Sequence, residues 1–267
     1  MFFYMIIVKV PGINGLGKTK GCRNAGNAII KSLGEIYSNE KGKAIKQESY
    51  DLEEIHVDNE NLKEQEQLIY QNSKELFEKQ DFVYFLGGDH SISFPICRAF
   101  FEKYGWDSCL IVFDSHPDCM EPSKEASHEE WLRALIEQGF PTENILLVGL
   151  RNIDPAEAEF LKKNKIKTIK MNDVLLNLED VTDTIMEFSS GKKLYLSIDI
   201  DFIDPAFAPS TGYPEPGGAS AREAIYIFSR LSLLKNLKAL DIVEVNSEND
   251  KTLATTKLAS KILAEFL

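Results

Sequence analysis

The run Cys109-Leu-Ile-Val-Phe113 passes directly into Asp114-Ser-His116-Pro-Asp118. A short apolar run that ends in acids and an imidazole predicts a buried strand with a polar tip. The pattern returns along the chain. Phe82–Leu86 leads into Gly87-Gly88-Asp89-His90-Ser91, Leu194–Ile200 ends with Asp199-Ile-Asp201 in the same stretch, and Ala239–Val245 carries Glu244-Val-Asn246. Further strands are expected at Phe2–Val10, Ala44–Tyr50, Ile145–Val148 and Ile166–Ile169. Helical patterns lie between, at Asn24–Leu33, Asn61–Lys79, Ser93–Lys103, His128–Gln138, Pro155–Asn164, Glu179–Ser189, Ala221–Leu233 and Leu253–Phe266. Strand alternating with helix over the whole length predicts an α/β fold: a mainly parallel sheet of about eight strands with helices on both faces. No linker or repeat divides residues 1–267, so a single domain is expected.

In such sheets, sites form beyond the carboxyl ends of the strands. Residues two apart in an extended segment share a face, so Asp114, His116 and Asp118 can converge, as can Asp199 and Asp201. Crowded carboxylates and imidazoles repel and desolvate badly without a counter-charge, which divalent cations supply. Many carboxylates, few imidazoles and no thiolates suit a hard or borderline ion such as Mn²⁺. One DxH alone reads more plainly as a capped strand end with a surface histidine. The combination of GGDH, DxHxD and DxD, all at strand ends, is what carries the metal-site reading.

Composition narrows the function. Charged residues make up 27% and the formal net charge is −12. That argues against nucleic acid or an anionic membrane surface as partner, since both need a basic footprint. The apolar start MFFYMIIVKV lacks a basic n-region, is interrupted by Lys9 and is too short to span a bilayer, so it reads as a first strand. Cys22, Cys97, Cys109 and Cys119 form no CxxC pair or dense framework, which fits reduced thiols in a cytoplasmic setting.

Gly12-Ile-Asn-Gly-Leu-Gly17-Lys18-Thr19 also fits the phosphate-loop pattern GxxxxGK[ST] after a strand. A phosphate loop must run straight into a helix. Here Gly21 and Gly26 weaken the continuation, and Asp114, the candidate second motif, is better explained by the metal cluster.

The blocks GGDHS, DSHPD and SIDIDFIDPAFAPSTGYPEPGG resemble the three signatures of the arginase/agmatinase/formimidoylglutamase family, the ureohydrolases; they span residues 87–218. The resemblance implies a three-layer αβα sandwich with a two-manganese centre. It implies that His90, Asp114, Asp118 and Asp199 hold one ion and that Asp114, His116, Asp199 and Asp201 hold the other, with Asp114 and Asp199 bridging. Asp118 would orient the attacking water, His128 would shuttle a proton, and Glu244 would grip a guanidinium, whose planar fork of donors suits a carboxylate. An exposed histidine at a helix start and a strand-end acid are the plainer readings of His128 and Glu244. The family is often trimeric or hexameric, so a homo-oligomer is expected. Ser115, Ser210, Tyr213 and Ser247 depart from the usual pattern; none is a ligand position, but Tyr213 can reshape the pocket.

The implied partner is a small cationic guanidino substrate, and its identity is contested within the sequence. Gly149-Leu-Arg-Asn-Ile-Asp154-Pro155 and Glu244-Val-Asn246 resemble arginases, with Asp154 recognising an α-amino group. The short loop from Cys119 to Ser127, ending in Ser-His, resembles agmatinases. Lys124 is a candidate donor for an α-carboxylate, though a solvated loop lysine is its plainer reading. The balance leans to arginine, then agmatine, then another guanidino acid or formimidoylglutamate. A one-zinc amidohydrolase of related fold and a non-catalytic metal-binding relative are the readings from other classes.

Overall fold

The structure, a computed structural model, describes residues 5–46, 48 and 50–267. Eight strands form one sheet: β1 (Met5–Val10), β2 (Tyr50–Glu54), β3 (Val83–Gly87), β4 (Ser108–Phe113), β5 (Ile145–Leu150), β6 (Lys167–Lys170), β7 (Lys193–Asp199) and β8 (Leu237–Val243). Their order is β2-β1-β3-β8-β7-β4-β5-β6, and every pairing is parallel. The nine helices described are α1 (Ala25–Leu33), α2 (Leu62–Lys79), α3 (Ser93–Tyr104), α4 (Trp131–Glu137), α5 (Pro155–Asn164), α6 (Met171–Leu176), α7 (Leu178–Phe188), α8 (Ala221–Leu231) and α9 (Ala254–Phe266).

Alternation along the strands sorts the core into two layers. Ile7, Ile111, Phe113, Leu196, Ile198 and Ile242 pack with α1, α8 and α9. Val8, Phe85, Leu110, Val112, Tyr195 and Val243 pack with α2, α3 and α4. Both faces of the central strands are therefore buried, as the near-continuous apolar runs require. Among the described residues, no helix is long and apolar enough to cross a membrane.

The elements differ from expectation where hydrophobicity carries no signal. Of the strand expected at Ala44–Tyr50, Gln47 and Ser49 lie outside the described residues; the described strand is Tyr50–Glu54, while Ala44 only bridges Ser38. This edge strand is mostly exposed and is held by its ladder to β1. Helix α6 was not expected; it is a short segment tucked between β6 and α7. The first strand begins at Met5 within the described residues, and Phe2–Tyr4 lie outside them. The helix expected from His128 starts at Trp131, so His128 stands in the turn before it. The strand expected to reach Val245 stops at Val243, because Glu244 takes φ 64° and turns out of the ladder.

The GKT segment does not open a helix. A 3₁₀ turn, Lys20–Asn24, intervenes before α1. Two of its donors point away from any phosphate: Asn14 N–H and Thr19 Oγ–H both reach Asp89 Oδ2, each at 2.7 Å.

Candidate metal centre and active-site cleft

Four adjacent central strands, β3, β8, β7 and β4, deliver their carboxyl ends side by side. After β3, the chain turns so tightly that a Cβ on Gly88 would stand 1.8 Å from the Gly12 carbonyl oxygen; only glycine fits. That turn brings His90 over the sheet edge. Asp199 closes β7 and caps a 3₁₀ turn, its Oδ1 accepting Asp201 N–H at 2.7 Å, which aims Asp201 at the same space. Beyond β4, Asp114 Oδ1 accepts His116 N–H at 2.7 Å, and Asp118 reaches inward from a left-handed backbone at φ 51°.

The side chains converge in two groups. His90, Asp114 and Asp199 form one; Asp114, His116 and Asp201 form the other; within each, the ligating atoms lie within 4.8 Å of one another. Asp114 is common to both. His90 Nδ1 lies 2.9 Å from Asp118 Oδ2, 3.1 Å from Asp114 Oδ2 and 3.3 Å from Asp199 Oδ2. His116 Nδ1 lies 3.0 Å from Asp201 Oδ2. Ligand atoms bound at about 2.1 Å around an octahedral ion sit about 3 Å apart. His90 Nδ1 and Asp114 Oδ2 are also fully buried without a hydrogen-bond partner. Buried polar atoms without partners are costly, and a cation placed among them removes that cost. The donor set therefore fits divalent metal.

Electrostatics agree. Burial opposes charge on His90, yet Asp114, Asp118 and Asp199 hold its imidazole well above its usual range. Burial likewise opposes charge on His116, but Asp114 and Asp201 push it to about 12. Burial, then Asp114, raises Asp118 to about 6, and burial with Asp201 and Asp114 pushes Asp199 well up. Burial works against the Asp114 carboxylate, but His116 and His90 hold it below its ordinary value. Without a cation, protons fill the charge role.

A cleft of about 470 Å³ opens over this cluster. His116, Asp118, Asp199 and Asp201 form part of its floor, and His128, Glu244, Thr211, Tyr213 and Asp154 line it. Glu244 Oε1 accepts His90 N–H at 2.9 Å and stands 3.4 Å from His128 Nδ1. Burial opposes a charged His128, but Glu244 and then Asp89 raise it to about 9. The Tyr213 ring stacks on His128 with centroids 5.0 Å apart, and Lys18 Nζ sits 4.2 Å from the Tyr213 centroid.

Every expected site residue thus reaches one region, but Lys124 does not. Its side chain is 85% exposed, pairs with Glu125 at 3.3 Å and contributes nothing to the lining. Asp154 lines the cleft while its Oδ1 caps α5 through Ala156 N–H at 2.8 Å.

Sequence analysis does not single out Trp131, Asp89, Arg151 or Glu157. Trp131 reads as a core aromatic on a helix, yet its Nε1–H donates to Asp118 Oδ2 at 2.8 Å and its ring stacks on His90 at 4.6 Å. Arg151 donates to the carbonyls of Asp201 and Glu215 at 2.6 and 2.7 Å and to that of Pro216 at 3.1 Å, clamping the long third block. Glu157 accepts Cys119 N–H at 2.8 Å, and burial raises its carboxyl to about 7. A basic residue just past a strand end was the one available signal for Arg151.

A parallel sheet covered on both faces, with a carboxylate-and-imidazole centre beyond its carboxyl edge, is the architecture of a metal-dependent α/β hydrolase. The chain belongs to the arginase family, whose sequence profile matches residues 4–267. It is 29% identical over 246 residues to an arginase of Staphylococcus aureus (strain COL), covering 83% of this chain and 81% of that one. It is 33% identical over 195 residues to an agmatinase of Bacillus subtilis (strain 168), covering 72% and 65%. Its fold matches that of formimidoylglutamase from Bacillus subtilis at a TM-score of 0.91, with 21% identity and coverage of 100% and 87%.

Proposed function

We propose that this chain hydrolyses the guanidinium C–N bond of a small cationic substrate and releases urea. The observation that carries the reading is the pair of carboxylate–imidazole groups sharing Asp114 beneath a cleft that also holds Glu244 and His128. His90, Asp114, Asp118 and Asp199 would hold one ion, and Asp114, His116, Asp199 and Asp201 the other. Four carboxylates with two neutral imidazoles balance two divalent cations, and the carboxylate-rich set favours Mn²⁺. When bound, such a pair supplies an acidified water and stabilises the negative charge that develops on attack.

The remaining work falls to side chains. Glu244 offers a buried carboxylate to the guanidinium and thereby fixes the carbon over the cluster. Asp118, held by Trp131, orients the water that attacks it. His128, held next to Glu244, donates the proton that the departing amine needs.

The substrate reading shifts when the cleft is considered. The sequence leans to arginine through Asp154, but an α-carboxylate needs donors. The lining carries the acids Glu129, Asp154 and Glu157 and the neutral donors Asn152, Thr211 and Tyr213, with no lysine or arginine among the described residues. That supports a distal amine without a carboxylate, so agmatine comes first and arginine second. Product release from the manganese-loaded protein with agmatine, arginine, other guanidino acids and formimidoylglutamate tests this. Urea from agmatine in excess over arginine is expected. Urea from arginine alone would restore the sequence-based order, and no product from any, with two ions bound, would sink the proposal.

A further inference from the structure

Behind His90 lies a buried polar chain that the reaction above does not use. β7 and β8 pair with Ser197 opposite Asp241. Asp241 is fully buried in a central strand, where an acid is costly unless its lone pairs are met. All of its partners are donors. Ser197 Oγ–H and Ile198 N–H reach Oδ1 at 2.7 and 3.4 Å; Ser93 Oγ–H and Tyr195 O–H reach Oδ2, each at 2.7 Å.

Each of these four contacts runs toward a carboxylate oxygen, so Ser197 spends its single hydrogen on Asp241. Ser197 Oγ then has only lone pairs to offer His90 Nε2, 2.9 Å away. Nε2 must carry the hydrogen of a neutral His90, and Nδ1 keeps the free lone pair. Nδ1 is the atom that faces Asp114, Asp118 and Asp199.

We propose that Asp241 is a positioning residue which, through Ser197, fixes the tautomer of His90 and leaves Nδ1 bare for metal. The inference rests on the reading of the cluster as a metal centre. Without Asp241, the Ser197 hydroxyl is free to rotate and donate to Nε2. That favours the tautomer with hydrogen on Nδ1, which blocks ligation. Groups that orient a ligating histidine are worth about 10- to 100-fold in metal affinity.

The test is Mn²⁺ affinity, measured by competition with a chelating indicator, with folding checked by circular dichroism. Asp241→Ala and Ser197→Ala should each weaken binding about 10- to 100-fold. The double variant should be no weaker than Ser197→Ala alone, because both act along one chain. Asp241→Asn should recover most of the loss, since Ile198 N–H holds the amide oxygen at the Oδ1 position. Wild-type affinity in folded Asp241→Ala, or additive losses in the double variant, would overturn the inference. Where Asp241→Ala does not fold, wild-type affinity in Ser197→Ala overturns it. A wild-type protein that binds no manganese removes the metal centre itself, and this inference with it.

Discussion

The Trp131 indole N–H donates to Asp118 Oδ2 at 2.8 Å, while the same oxygen lies 2.9 Å from His90 Nδ1. One aromatic side chain thus holds both a carboxylate and, by stacking, an imidazole of the cluster. Trp131→Phe keeps most of the packing and removes the donor. A hydrogen bond to a charged group is worth about 1.5–3 kcal/mol, so kcat should fall about tenfold or more with little loss of fold. Steady-state kinetics beside a thermal melt check this; unchanged kcat would free Asp118 from dependence on Trp131.

Metal uptake should expel protons. In the metal-free protein the carboxylates around His116 raise it to about 12, those around His90 raise it well above its ordinary value, and burial with Asp201 and Asp114 pushes Asp199 well up, so the cluster holds its protons tightly. Ligands must shed these protons to bind metal, so apparent Mn²⁺ affinity should rise with pH. Calorimetry in buffers of different ionisation enthalpy reads the proton count directly. Zero release would contradict the charge state of the cluster.

His128 offers a second pH dependence. Its folded value of about 9 lies above the ordinary 6.5. A raised imidazole contributes stability that is fully present below about 6.5 and is lost as pH rises through about 9. Histidine-detected NMR of the metal-free protein should place His128 near 9, and Glu244→Gln should lower it. The chain holds only 4 histidines, so the resonances are few enough to assign. Equal values in both proteins would dissolve the pairing.

Tyr213→Thr removes the ring that stacks on His128 and lines the cleft. The expected result is a several-fold rise in KM and altered preference between agmatine and arginine. A ring-current shift at His128 should vanish in the same variant. Kinetics and NMR that both match the wild type would leave Tyr213 without a role.

Arg151→Met should loosen the third block. Three closely bonded carbonyls lose their donor, at a cost of about 2–4 kcal/mol. Chemical denaturation would reveal it; a loss below about 0.5 kcal/mol is what a free surface arginine would give.

The order of elements and the strand-end chemistry were legible because apolar runs and amphipathic periods are local properties. β2 was misplaced because an exposed edge strand needs no apolar signal. The end of β8 was misplaced because a left-handed Glu244 is set by its surroundings, with Oε1 on His90 N–H.

The sequence by itself determined that a parallel α/β sheet carries acids and imidazoles at the ends of four strands, since period and residue type suffice for that. Only the tertiary structure decided that those four strands are neighbours, that Trp131 and Asp241 stand behind the cluster, and that Lys124 stands away from the cleft. Strand order and long-range hydrogen bonds join residues far apart in the chain, and no local pattern encodes which of them meet.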